Sequence, residues 1–414
     1  MIPPVSEIYV VWHPQDTAGR EAAGQIFDHY HGTVFTGLLG GAIEVYVRSQ
    51  GWTSADDAPR PIPFPGSIEP IGLPTARIVA IVPVIGNEFA NVIEKGSRPW
   101  RDFVQRILDA KAAKPSQVGV FPLLVDSGAA NGTDLGRLLG PFQRIGVPSG
   151  GSSSEPAAEL RCRDLSQGIA QLAPADNTRL TVFISHTMRT GAGEQDISAL
   201  IDLVRATIGE TRLQHFFDAN DLQPGRDWDN ELRTQAARSA LLVLRTDLYA
   251  TREWCQREML IAKRHGMPIV ILDCLDVGEE RGSFLMDHVP RIPVRTMGAG
   301  WNKYDVRRGL NLLVDECLKR VIWRVQQEIA SNRRDLAISW WAPYAPEPVT
   351  LAQWIEDGLS ARSFRVGDDD LRVLHPDPPL GPEESAALQQ ILALTGHTGR
   401  LDVLTPRMLA ARGA

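Results

Sequence analysis

Residues 246–258 read TDLYATREWCQRE, and within them Glu258 follows Trp254 by four positions. On a helix that spacing is about one turn, so an indole and a carboxylate come to share a face. A flat apolar ring beside a single carboxylate suits a ring-bearing substrate on which positive charge develops. Two upstream passages end in polar groups of the same kind. Residues 181–186, TVFISH, are an apolar β-rich run that contains Phe183 and closes on Ser185 and His186. Residues 216–228, FFDANDLQPGRDW, run from an apolar pair through Asp218 into a turn-rich loop that reaches Trp228.

Metal chemistry is not expected. The four cysteines, Cys162, Cys255, Cys274 and Cys317, show no C-x-x-C pairing. That argues against zinc and against a disulfide framework, and for a reducing, cytoplasmic setting. A net charge of −7 argues against a sequence-independent grip on nucleic acid. The longest apolar run, residues 77–85, is strand-sized and broken by Pro83, so no membrane span and no membrane partner are expected.

The elements that must hold these groups alternate in type. From residue 180 the pattern predicts strands at 180–185, 213–217, 240–245, 268–273 and 291–295. Helices are predicted at 194–208, 227–239, 252–265 and 304–329, the third ending at Gly266. Strands alternating with helices imply a doubly wound parallel sheet, whose ligands sit at the carboxyl ends of the strands. Ser185, Asp218 and the loop after residue 245 all fall there.

The first segment repeats this order less faithfully, with strands at 8–12, 42–48, 77–84 and 118–126 and helices at 18–30 and 100–110. Residues 148–156, PSGGSSSEP, form the clearest linker. The expected organisation is therefore an α/β domain over 1–147, a linker and short helix over 148–174, a second α/β domain over 175–330 and a small C-terminal α/β extension over 331–414. One fold, present twice, is the expectation.

Five blocks carry a family resemblance: VFISH (182–186), FFDANDLQPGRDW (216–228), SALLVL (239–244), the passage from Tyr249 through Trp254 and Cys255 to Glu258, and PIVI (268–271). Together they resemble the Toll/interleukin-1 receptor (TIR) domain family in its prokaryotic form. The blocks agree in type, order and spacing over more than a third of the chain. The resemblance implies a flavodoxin-like, five-stranded parallel sheet. Enzymatic members cleave the nicotinamide–ribose bond of NAD+ and use a glutamate at the position matching Glu258. Trp254 then lines the substrate cleft, and Phe183, Ser185, His186, Asp218 and Trp228 match substrate-side positions. NAD+ is the substrate, and no cofactor is expected. The resemblance also implies a homo-oligomer through TIR–TIR contacts, a sensor or activator partner, and a place in bacterial anti-phage signalling. The first segment looks like a degenerate copy: Trp100 is followed four residues later by Val104, not an acid.

Two other classes stay open. Many TIR domains are non-catalytic scaffolds that self-associate through the loop matching residues 218–228. A base–deoxyribose transferase on a similar sheet would prefer nucleosides to NAD+.

Overall fold

The computed structural model describes residues 5–35, 43–51, 57–67, 75–146, 156–172, 180–187, 197–211, 213, 215–218, 239–279, 281–298, 300–330, 336–361, 363–376 and 378–412. The chain divides into two compact units, one built mainly from residues 41–179 and the N-terminus, the other from residue 180 onward.

The first unit is a parallel α/β sheet. Its strands are β1 (Ser6–Val11), β2 (Ile43–Arg48), β3 (Ile78–Ile85), β4 (Val118–Val120) and β5 (Leu123–Leu124), in the order β2-β1-β3-β4 with β5 also on β3. All the pairings are parallel. The single strand expected over 118–126 is two short ones. Pro122 lacks the amide a continuous ladder needs, and the chain is interrupted there. Helices α1 (Thr17–Tyr30), α2 (Asn87–Glu94), α3 (Arg98–Ala113), α4 (Asp134–Leu139) and α5 (Ala157–Leu172) complete the unit. Trp100, Phe103, Val104 and Ile107 recur at helical spacing on α3 and pack on the apolar face formed by Tyr9, Val11, Val79 and Ile81. Helix α5, which follows the linker, packs on α1, β3 and β4, and so belongs to this unit.

The second unit holds a five-stranded parallel sheet of β6 (Thr181–Ser185), β7 (His215–Asp218), β8 (Ala240–Arg245), β9 (Ile269–Asp273) and β10 (Arg291–Pro293), in the order β10-β9-β8-β6-β7. Counted within the unit, the order is 2-1-3-4-5, that of a flavodoxin-like doubly wound sheet. The first unit shows the same 2-1-3-4 order. The strands are apolar on both faces because both faces are covered. Val182, Ile184, Leu242, Leu244, Val270 and Leu272 share one core with α6 (Ser198–Gly209) and α8 (Lys303–Ala330). Phe183, Leu241, Val243, Ile269 and Ile271 face the other way, toward α7 (Glu253–Arg264). Each such side chain contributes roughly 1.5–3 kcal/mol on burial. Helix α8 crosses β9 at Gly309, where a Cβ would lie 2.3 Å from Leu272 Cδ2. Helix α7 ends as expected at Gly266: its φ of +62° is left-handed, Gly266 N–H reaches Lys263 O and Met267 N–H reaches Ala262 O. The helix expected over 227–239 lies outside the described residues.

After a small hairpin of β11 (Thr296–Met297) and β12 (Gly300–Trp301), the chain passes through α8 into the C-terminal extension. There β13 (Trp340–Trp341), β14 (Leu371–Leu374) and β15 (Leu401–Leu404) form a three-stranded parallel sheet, with α9 (Pro348–Ser360), α10 (Pro382–Ala393) and α11 (Pro406–Ala411). Trp340 stacks on Trp354 at 5.2 Å and Trp341 meets Trp323 of α8 at 5.3 Å, so these indoles pack the extension.

Candidate functional site

Strand order in the second sheet reverses at β6, which lies between β7 and β8. That switch point, at the carboxyl ends of the strands, is where a doubly wound sheet opens a crevice. Ser185 is the last residue of β6. Side chains alternate along a strand, so Ser185 points to the same face as Phe183, toward α7. On α7 the buried positions are Cys255, Glu258, Met259, Ala262 and Lys263. The helix therefore lays Glu258 onto the end of β6.

Glu258 is only 6% exposed. A carboxylate at that depth needs donors. Ser185 supplies one: its hydroxyl donates to Glu258 Oε2. Ser185 Oγ in turn lies 2.6 Å from the Tyr249 hydroxyl. Tyr249 opens the 3-10 turn Tyr249–Thr251, with its amide on Thr246 O at 3.0 Å. Burial, reinforced by the neighbouring Cys255 and Glu258, pushes the Tyr249 hydroxyl well above its ordinary value. It therefore stays protonated at any working pH. Ser185 has one proton, which it gives to Glu258, so the proton in the second bond comes from Tyr249. The result is a one-directional chain, Tyr249 to Ser185 to Glu258.

Around this chain, Cys255 Sγ approaches His186 O at 3.7 Å, and His186 Nδ1 lies 3.0 Å from Thr187 O. Both side chains are buried. Phe183 is fully buried in the core beneath the site rather than on an open surface. Trp254 keeps its one-turn spacing from Glu258 but lies on the surface: it is 41% exposed, and the Arg257 guanidinium lies 4.9 Å from its ring centroid. The buried line on α7 starts at Cys255, one residue later, because the helix turns Trp254 off the sheet. Asp218 ends β7, opposite Ile184 in the register. Trp228 lies outside the described residues. The structure thus joins Ser185 and Glu258 directly and sets the His186 backbone carbonyl against Cys255.

Tyr249 is the residue that reading the sequence did not assign. Its place in the 246–258 block was the one available signal. Nothing in the spacing says that a 3-10 turn folds its ring under the sheet edge.

In the first unit, the helix that carries Trp100 is packed with apolar side chains. Helix α3 precedes β4 as α7 precedes β9. Trp100 there is fully buried, 5.4 Å from the His13 ring and 5.2 Å from Phe89. Val104, one turn on, is buried in the same apolar cluster. A cavity of about 110 Å³ lies toward the C-terminal end of α7, walled by Lys263, Arg264, Trp340, Tyr344 and Trp354 among others, away from the carboxylate.

Among the described residues no group of His, Cys, Asp and Glu could hold a metal ion, and no helix is long and apolar enough to cross a membrane. The four cysteines are buried. No protein-family model matches the chain, and no curated protein matches it.

Proposed function

We propose that the second unit cleaves the nicotinamide–ribose bond of NAD+, with Glu258 as the catalytic carboxylate. The observation that carries this reading is the buried Glu258 carboxylate, anchored by Ser185 at the switch point of a 2-1-3-4-5 parallel sheet. The resemblance of the motif blocks to enzymatic TIR domains supplies the substrate.

The chemistry suits one anchored acid. Nicotinamide leaves with the electron pair of the C1′–N bond and becomes neutral, so no acid is needed to protonate it. Positive charge collects on the ribose as an oxocarbenium ion. A preorganised anion in a water-poor site stabilises such charge by roughly 3–4 kcal/mol, by analogy with oxyanion donors of opposite sign. Glu258 can alternatively trap the sugar covalently, as glycosidase carboxylates do. Water adding at C1′ and releasing a proton gives ADP-ribose; an internal nucleophile gives a cyclic product. Trp254, on the surface, offers a ring face for the departing pyridine or the adenine.

Assembly through TIR-type contacts, a sensor or activator partner and an anti-phage setting come from the resemblance. An enzyme that depletes NAD+ must be restrained, which fits activity that rises on self-association. Purified wild type and Glu258→Gln, each at several concentrations, are incubated with NAD+ and analysed by chromatography. Nicotinamide released by wild type and not by the variant is the expected outcome. Release from neither, or equally from both, overturns the reading. Self-association without turnover then favours the scaffold, and turnover of nucleosides the transferase.

A further inference from the structure

We propose that Tyr249 is a positioning residue for Glu258 and acts on it through the Ser185 hydroxyl; the catalytic part of this inference rests on the function proposed above. Tyr249 does not meet the carboxylate in the hydrogen-bond chain. Its hydroxyl lies 2.6 Å from Ser185 Oγ, whose proton is committed to Glu258 Oε2. All three side chains are buried, so water does not substitute for either donor.

The chain has two consequences. A donor bond into Ser185 polarises its hydroxyl and strengthens the bond Ser185 gives, because hydrogen bonds in series reinforce one another. Bonding to the charged form also favours that form. Oε2 of Glu258 is thus held by Ser185. An oxocarbenium ion needs an anion that does not reorganise as the bond breaks, and this chain provides the restraint. Among the described residues, Cys255, three positions before Glu258 on α7, and His186, next to Ser185, also lie here, and Cys255 helps raise the Tyr249 hydroxyl.

Two variants remove single atoms or groups from the chain: Tyr249→Phe and Ser185→Ala. Each is measured alone and together with the other. Two readouts are taken: steady-state nicotinamide release across pH, and the Glu258 carboxyl carbon in 13C-glutamate-labelled protein, assigned by its absence in Glu258→Gln. Tyr249→Phe is expected to lower kcat about tenfold with KM unchanged, the scale of one hydrogen bond reaching a charged group. The Glu258 carbon is expected to titrate at higher pH than in wild type. Because Tyr249 acts through Ser185, the double variant is expected to match Ser185→Ala alone in both readouts.

A Tyr249→Phe protein with wild-type kcat and unmoved titration overturns the proposal. So does a double variant whose losses multiply. If Tyr249→Phe fails to fold, Ser185→Ala with an unmoved Glu258 titration overturns it equally. The carbon readout needs no turnover, so the two readings fail separately. A titration shift in a protein inert toward NAD+ sinks the proposed function and keeps the positioning chain. An active wild type with no shift in the variants does the reverse.

Discussion

Lys263 and Glu347 form an ion pair whose side chains are 2% and 5% exposed, tying the C-terminal half of α7 to the first residue before α9. Lys263 Nζ also donates to Asp287 O at 3.0 Å. The helix that presents Glu258 is therefore gripped from the extension as well as from the sheet. Tyr344 adds to the grip: its hydroxyl donates to Met267 O, just past the end of α7.

Removing one partner of a buried pair strands the other charge at a cost of about 3–5 kcal/mol. Lys263→Met and Glu347→Ala are each expected to lose stability on that scale in urea melts. The double variant Lys263→Met/Glu347→Leu is expected to recover most of the loss, since no unpaired charge remains. Losses that simply add would show the pair to be uncoupled.

Stability toward acid is expected to depend on Asp305. Hydrogen bonds from Arg295, chiefly from its guanidinium, hold the buried Asp305 carboxyl below its ordinary value of 3.8, outweighing the opposing effect of burial. The unfolded chain therefore takes up this proton first as pH falls. The contribution is present above the ordinary value and is lost as pH drops through the lowered one. Arg295 is largely solvent-exposed, so the effect is modest. Thermal melts of Asp305→Asn are expected to fall below wild type near neutrality and to converge with it as pH falls below 3.8. Parallel curves would remove Asp305 from the acid response.

Substitution of Trp254 by Ala is expected to raise KM for NAD+ with little change in Tm, because the ring stands on the surface and not in the core. Glu258→Gln is expected to lower kcat by about a hundredfold or more. A Trp254→Ala protein whose melting point collapses would mark the indole as packing rather than contact.

The first unit offers a reverse test. Val104→Glu places a carboxylate in the apolar cluster of Trp100, Phe103 and Ile107, one turn after Trp100. The expected result is a destabilisation of about 3–5 kcal/mol and no NAD+ cleavage by this unit, read in a Glu258→Gln background. A stable variant would mean that a hydrated crevice exists beside Trp100.

Much of the architecture was legible along the chain. The strands β6, β8 and β9 were readable because both their faces are buried and the apolar runs are continuous. Helix α7 announced its end through Gly266, since a left-handed residue there is nearly confined to glycine. The extension was harder. Its strands are two to four residues long, and short runs such as Trp340–Trp341 carry no periodicity to read.

The site divides along the same line. Residue type and one-turn spacing were enough to single out Glu258 and Trp254 and to place Ser185 at a strand's end, because these are local properties of helix and strand. Spacing did not distinguish the buried carboxylate from the surface indole, which share a nominal face. Their difference arises from how α7 lies on the sheet. The Ser185 and Tyr249 contacts bridge 73 and 64 positions of chain. Such contacts come from strand order and helix docking, where the burial of many apolar side chains together selects one arrangement, and no local pattern encodes them.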